Sequence, residues 1–389
     1  MQYRVNDLSV LGFGCMRFPR KGAATDMKQT EQQIMHAIEN GVNYFDTAYV
    51  YPGSEAALGK ILEENGVRDK VNIATKLPHY LLKEAGDAQK YFEKELERLR
   101  TDHVDYYLMH MLPDVNVWKD LCENKHIDEW IDEKKKNGEI GKIGFSYHGG
   151  TDSFKALLDV YPWEFCQIQY NYLDENSQAG REGLNYAAAK GIPVIIMEPL
   201  RGGRLATKLP KKAGNMIAKH DSRRSPAEWA LKWLWDQPEV SVILSGMNSM
   251  EMLDENIRIA NETEAFSMTD EEHEFINKVR DAINEKVKVG CTGCAYCMPC
   301  PAGVDIPGVF RCYETSYIDG FVTGMKEYIM CTTLRSNKSM ASLCVGCGRC
   351  VSHCPQGIQI PDQLKNVKKR LEGNIYKIGA AILKKRFPY

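Results

Sequence analysis

The sequence predicts an α/β protein: a (β/α)8 TIM barrel followed by a small, mostly α-helical, cysteine-rich domain. Three observations predict it. Short apolar strands alternate with amphipathic helices eight times over about 285 residues. The competing α/β arrangement, a doubly wound sheet, usually carries G-x-G-x-x-G after its first strand. Here Gly12-Phe13-Gly14 runs into Cys15-Met16-Arg17, and that fingerprint fails. Finally, of 13 cysteines only Cys15, Cys122 and Cys166 lie in the barrel region; the rest follow from Cys291 onward.

The predicted strands span 11–15, 42–45, 71–75, 104–109, 143–146, 165–169, 194–197 and 242–245, each a short run rich in β-branched, aromatic or other apolar residues. Helices are expected over 29–40, 55–65, 87–100, 127–137, 153–159, 180–190, 226–236 and 250–260. They carry apolar residues at three- and four-residue spacing, as in Ile34, Ala37 and Ile38. Gly41, Gly66, Gly138 and Gly191 suit left-handed helix ends. An acidic helix over 270–285 and a basic connector close the region. The chain therefore divides into a barrel over 1–285, a cysteine-rich domain over 286–362 and a basic amphipathic helix over 363–389.

A chain of 389 residues holds one large domain and one small one. Its formal net charge of -2 argues against nucleic acid as the main partner. Arg4, Asp7, Arg17 and Arg20 interrupt any signal-peptide core. No run of about 18 apolar residues provides a membrane span, so a cytoplasmic protein is expected.

In a parallel barrel the carboxyl ends of the strands share one rim. The second strand runs into Asp46, with Tyr49 and Tyr51 just beyond; the third ends at Lys76 and the fourth at His110. Each has an ordinary structural use: an aspartate caps a helix, a lysine pairs with an acid, a histidine hydrogen-bonds. Four ionisable groups on consecutive strand ends point instead to proton chemistry.

These residues belong to a longer set. It comprises Phe45-Asp46-Thr47-Ala48-x-x-Tyr51, Gly53-Ser54-Glu55, Thr75-Lys76, Tyr107-Leu108-Met109-His110, Gly144-Phe145-Ser146, Gln167-x-Gln169-Tyr170-Asn171, Glu198-Pro199-Leu200 and Glu255-Asn256. In that order the set resembles the aldo-keto reductase family through the whole barrel. The resemblance implies NAD(P)H-dependent reduction of a small-molecule carbonyl to an alcohol. It makes Tyr51, rather than Tyr49, the general acid, with Lys76 lowering its pKa, Asp46 pairing with Lys76 and His110 orienting the carbonyl. It also implies nicotinamide contacts at Ser146 and Gln167, pyrophosphate beside Leu200, Arg201, Gly202, Gly203 and Arg204, and adenosine among Ser245, Gly246, Glu255 and Asn256.

The chemistry suits those residue types. A free tyrosine, with pKa about 10, is a poor acid at neutral pH. A nearby ammonium favours phenolate, and a carboxylate keeps that ammonium charged. A histidine can donate to the developing oxyanion. Two positions depart from the family pattern. Met197 stands where relatives usually place an aromatic ring against the nicotinamide. Gly246, Met247 and Met252 stand where many supply Lys or Arg to a 2′-phosphate, which leaves NADPH and NADH both open.

The tail carries Cys291-x2-Cys294-x2-Cys297-x2-Cys300-Pro301 and then Cys344-x2-Cys347-x2-Cys350-x3-Cys354-Pro355. The second run has the bacterial ferredoxin spacing for a [4Fe–4S] cluster, in which the fourth cysteine ligates the other cluster. Two clusters are expected, one on Cys291, Cys294, Cys297 and Cys354, the other on Cys344, Cys347, Cys350 and Cys300. Structural zinc, the competing occupant, usually takes pairs of C-x2-C rather than triplets. Cys300 follows x2 where the motif has x3; Cys312 and Cys331 are its substitutes or else buried structural thiols. The spacer is too long for a compact β-hairpin ferredoxin and resembles the α-helical ferredoxin domains of multicentre oxidoreductases. The last segment lines up Leu364, Val367, Leu371, Ile375, Ile378 and Ile382 beside many lysines. It suits its own domain, an acidic partner or an anionic surface.

Three readings follow. The first is a carbonyl reductase whose clusters exchange electrons with a redox partner. A flavin, for which no motif is present, or a radical intermediate would then divide the hydride pair. The second is a carbonyl reductase with structural clusters. The third is an electron-transfer protein whose barrel binds but no longer transfers hydride.

Overall fold

Strands buried on both faces read as nearly continuous apolar runs, and eight of them close into a parallel barrel. They are β1 (Leu11–Gly14), β2 (Tyr44–Asp46), β3 (Asn72–Leu77), β4 (Val104–Met109), β5 (Ile140–Tyr147), β6 (Phe165–Gln169), β7 (Val194–Met197) and β8 (Val240–Ser245). Neighbours pair in sequence order, and β1 closes the ring against β8. The computed structural model describes every residue except 3, 23, 286–287, 292, 294–296, 336, 355–356 and 387–389. Of the expected cluster ligands, Cys294 lies outside the described residues.

Side chains alternate inward and outward along each strand. Tyr44, Ala74, Tyr106, Leu108, Phe165, Ile195, Val242 and Leu244 form one buried cluster inside the barrel. Tyr106 meets Tyr44 and Phe165 edge-on, with ring centroids 5.2 and 5.1 Å apart. One inward position further along come Asp46, Lys76, His110, Gln167 and Met197. The polar residues thus form the layer above an apolar plug. Outside the strands a larger core runs from Val10 to Ile283.

Helices Val115–Lys125 and Lys211–His220 and a hairpin of Arg20–Lys21 with Ala24–Thr25 were not expected from the sequence. The first arises because Asp114 accepts hydrogen bonds from the Asn116 and Val117 amides and so caps a helix whose apolar residues, Trp118 and Leu121, are buried.

The cysteine-rich region contains helices Ile306–Ile318, Phe321–Tyr328, Arg349–Ser352, Ile360–Leu371 and Asn374–Arg386, with a π turn over Ile329–Thr333. Its own core contains Phe310, Tyr328, Leu364, Val367 and Leu371. The single apolar face expected over 363–389 is corrected. The chain breaks between the last two helices at Glu372 and Gly373, which shifts the phase. Tyr376 and Ala380 then face inward, while Ile375, Ile378 and Ile382 are about 60% exposed. Among the described residues no helix is long and apolar enough to cross a membrane.

The helical region sits against the loops after β5, β6 and β7. Asp174, after β6, pairs with Arg201 at 3.2 Å and with Arg311 of the first C-terminal helix. Arg201 also reaches Asp319 at 3.0 Å and donates to the Thr315 hydroxyl at 3.2 Å. Arg204 donates to Thr323 at 2.6 Å, and Arg335 donates to the His148 carbonyl. Asp174 and Arg201 are buried. Burial alone would raise the Asp174 pKa, yet Arg201 and Arg311 hold it below the usual carboxylate range.

Removing one partner of a buried ion pair costs about 3–5 kcal/mol. Arg311→Ala is expected to loosen the C-terminal helices from the barrel, measured as faster limited proteolysis between residues 285 and 306. A depressed aspartate pKa contributes stability above the unfolded value, near 4, and loses it as pH falls through the folded value. The wild-type cleavage rate should therefore stay flat from pH 8 to about 5 and rise below about pH 4.

Candidate active site

The loop after β2 is held at both ends. The Tyr51 amide donates to Ala48 O at 3.0 Å, and the Ser54 amide to Tyr51 O at 3.1 Å. The Ser54 hydroxyl bonds Thr47 Oγ1 at 2.8 Å and Cys15 O at 3.0 Å. Gly53 adopts φ of 75°, a left-handed conformation that favours glycine, just before helix Ser54–Glu64. Buried Glu55 accepts from Thr75 at 2.7 Å and pairs with Arg98 at 3.0 Å. Arg98 also lies over the Tyr49 ring, 4.3 Å from its centroid. Tyr49 is thereby engaged away from the rim, and the loop presents Tyr51 instead.

Lys76 and Asp46 are both buried, and Lys76 Nζ lies 2.7 Å from each Asp46 oxygen and 2.5 Å from the Thr47 carbonyl. Burial raises Asp46 more than hydrogen bonds from Lys76 and Gln167 lower it. Lys76 Nζ is 5.4 Å from the centroid of the Tyr51 ring. The Tyr51 and His110 rings meet edge-on at 6.1 Å. The four strand-end residues thus share one site.

Their electrostatics differ from expectation at one point. Lys76 was expected to draw the Tyr51 pKa downward. Burial pushes it up instead, and Asp46, Tyr80 and Glu198 add to that push. The Lys76 ammonium is occupied by Asp46 and the Thr47 carbonyl, so the carboxylate offsets its field at the phenol. Burial, followed by Lys76, drives His110 well below the ordinary histidine range. His110 is therefore neutral, and its Nδ1 is buried without a partner. His148, half-buried, is pushed down to about 4 by desolvation.

The remaining predicted residues line the rim from β5 to β8. Ser146 Oγ accepts from the Met111 amide at 2.8 Å. Gln167 contacts Asp46, while its Oε1 is buried with no partner. Met197 ends β7, half-buried against the interior cluster. Leu200 packs against the outer core, and Gly202 and Gly203 take φ of 68° and 87°. Asn256 donates to Ser245 Oγ at 2.7 Å, with Glu255 half-buried beside it. Arg201 and Arg204 turn toward the C-terminal helices.

Sequence reasoning missed three residues. Arg17 donates to Gly202 O at 3.0 Å, and its side chain also lies against Gly246. It bridges the loops after β7 and β8, and the G-x-G-x-x-R turn after β1 was its only signal. Glu198, at φ of 57° and with its pKa raised by burial, influences Tyr51 from the β7 side. Buried Cys15 lies close enough to Asp46 and Lys76 to feel both charges.

A dinucleotide fits the residues present: the unpartnered Gln167 Oε1 suits an amide N–H donor, and the Arg17 guanidinium suits a phosphate. In the C-terminal region no three described metal-binding side chains converge tightly enough to hold an ion. Cys350 nevertheless feels Cys344, Cys300 and Cys347, after burial, as causes of its raised pKa. Cysteine sulfur is the donor type an iron–sulfur cluster takes. Cys291, Cys297 and Cys354 are half-buried against the same core. Cys312 and Cys331 are buried and hydrogen-bonded to each other, as structural thiols would be.

Residues 10–281 match the Aldo/keto reductase family, and residues 290–359 match a 4Fe-4S dicluster domain. The chain is 26% identical over 293 residues to an uncharacterized oxidoreductase, YrpG, of Bacillus subtilis, covering 64% of this chain and 87% of that one. It is 27% identical over 303 residues to L-galactose dehydrogenase of Arabidopsis thaliana, covering 72% and 92%. A solved structure, the holo form of aldo-keto reductase AKR11C1 from Bacillus halodurans, matches with TM-score 0.57 and 25% identity over 72% of this chain and 95% of its own.

Lys76→Met leaves Asp46 buried without its cation, which should cost about 3–5 kcal/mol. The double variant Asp46→Asn, Lys76→Met should recover much of that loss. Chemical denaturation of the two variants checks this; equal losses would mean that the pair is not coupled.

Proposed function

The chain belongs to the aldo/keto reductase family, and from that premise we propose that it reduces the carbonyl of a small aldehyde or ketone to an alcohol. Tyr51 is the general acid, and NADPH or NADH is the reductant. The observation that carries this reading is the seating of Tyr51 beside a buried, carboxylate-paired Lys76 and a neutral His110.

A nicotinamide bound at this rim supplies the hydride. Gln167 and Ser146 hold its carboxamide, Arg17 and the Gly202–Gly203 turn meet its phosphates, and Ser245, Gly246, Glu255 and Asn256 surround its adenosine. His110, neutral, donates a ring N–H to the carbonyl oxygen and orients it. As charge builds on that oxygen, the Tyr51 Oη proton passes to it. Lys76, held by Asp46 with its Nζ 5.4 Å from the centroid of the Tyr51 ring, offsets only part of the cost of the phenolate. Burial and Asp46 outweigh it, and the pair acts chiefly by fixing the rim in which the phenol sits. Met197, in place of an aromatic ring, gives the cofactor an apolar and adaptable wall.

The second half of the proposal concerns the C-terminal region. Cys291, Cys294, Cys297 and Cys354 hold one [4Fe–4S] cluster, and Cys344, Cys347, Cys350 and Cys300 hold another. A cubane exchanges one electron at a time, and that suits exchange with a redox protein better than direct exchange with a hydride donor. The domain reading is a barrel over 1–285, a cluster domain over 286–362 and a C-terminal helical extension over 363–389.

Tyr51→Phe should lower kcat for carbonyl reduction by about 10^2–10^4. Because burial keeps the phenol protonated, the wild-type rate should not fall between pH 7 and about 9; a fall there would show that Lys76 lowers the pKa after all. Arg17→Gln should raise KM for the nicotinamide about tenfold with little change in kcat. Anaerobically purified protein should contain about 8 iron and 8 sulfide and show reducible EPR signals; zinc without iron would exclude the cluster reading.

A further inference from the structure

We infer that the surface around Cys344, Cys347 and Cys350 is the docking site for an acidic one-electron carrier protein. The inference rests on the cluster reading of those cysteines together with Cys300.

The described residues of the two cysteine runs have different surroundings. Gly293, within the first run, packs on the loop after β6: a Cβ there would stand 2.4 Å from Asn176 O. Gly293 is thus turned toward the barrel. The second run is turned toward solvent. Cys347 is exposed and Val345 is 75% exposed. Among the described residues, none comes within 4 Å of a Cβ at Gly346 or Gly348.

Most of the charge around it is positive; Glu372, which accepts from the Ser342 amide at 3.0 Å, is an acid at its edge. Residues 338–370 carry Lys338, Arg349, Lys365, Lys368, Lys369 and Arg370, and Asp362 is their only carboxylate. Asp362 is already paired with Lys365 at 2.9 Å. Lys365 lies near enough to Cys344 to feel it, and Arg349 neighbours Cys350 in sequence. Lys365 and Lys369 share one exposed face of helix Ile360–Leu371, whose other side buries Leu364, Val367 and Leu371. A whole chain of net charge -2 thus presents its basic surface where the outer cysteines reach solvent.

An exposed tip with Arg349 in its own loop and Lys365 beside it fits a partner with an exposed redox group and an acidic rim. Opposite charges steer encounter and fix orientation more than they add affinity. Such contacts are transient and salt-sensitive. What crosses is one electron: the reduced carrier is oxidised as the outer cluster is reduced, and no bond forms or breaks.

The test is a binding titration of the full, cluster-loaded chain with a strongly acidic flavodoxin. Binding is expected at low ionic strength and should weaken at least tenfold on raising salt from 50 to 300 mM. Lys365→Glu with Lys369→Glu should weaken it at least tenfold, the milder pair Lys365→Gln and Lys369→Gln less so, and Lys60→Glu on the barrel not at all. The inference is overturned if binding is absent, if it ignores the helix substitutions, or if Lys60→Glu weakens it equally. It is overturned too if the lysines instead bind anionic phosphatidylglycerol vesicles and not the flavodoxin. Because the readout is binding, failure of carbonyl reduction would sink the barrel proposal and leave this one standing. Visible absorption checks that each variant still carries its clusters.

Discussion

The buried pair of Lys76 and Asp46 is the interaction on which the rest of the rim depends. Two opposite charges sit one inward position above an apolar plug, where an unpaired ion would be prohibitively costly. The pair also takes in the Thr47 carbonyl and Gln167, and so ties the ends of β2, β3 and β6 together. Its field sets the state of its neighbours. His110 is kept neutral partly by Lys76, and Tyr51 keeps its proton partly because of Asp46. A phenol that holds its proton at rest is in the protonation state needed to protonate an alkoxide.

A second ionic cluster, around Asp174, joins the two halves of the chain. Arg201 stands in the loop that by family resemblance flanks the pyrophosphate, yet it is held by Asp174 and Asp319. Arg17, from the opposite side of the rim, lies instead against the Gly202 and Gly246 loops. The C-terminal helices thus alter the cofactor side of the barrel as well as carrying cysteines. They attach through buried charges, and Gly293 packs on the loop after β6.

Much of this was legible from residue order. Strand positions followed from apolar runs, and Asp46, Lys76 and His110 followed from their places just beyond those runs. What could not be read depended on long-range partners. Arg17 touches Gly202 and Gly246, about 185 and 229 residues away in sequence, and no periodicity announces such a contact. The rise in the Tyr51 pKa reflects burial by the assembled rim, not the identity of Lys76. Helix Lys211–His220 was missed beside its Gly214, and the break at Gly373 turned a single apolar line into one buried stretch and one exposed stretch.

The central claim is that the barrel transfers hydride to a carbonyl, whatever the clusters do. The direct measurement uses NADPH deuterated at the transferring position of the nicotinamide, with an aldehyde substrate and mass spectrometry of the alcohol. The account predicts one deuterium on the carbinol carbon, with the hydroxyl proton from solvent. Alcohol formed without deuterium, or NADPH oxidised with no alcohol and the electrons appearing only in the clusters, would contradict it.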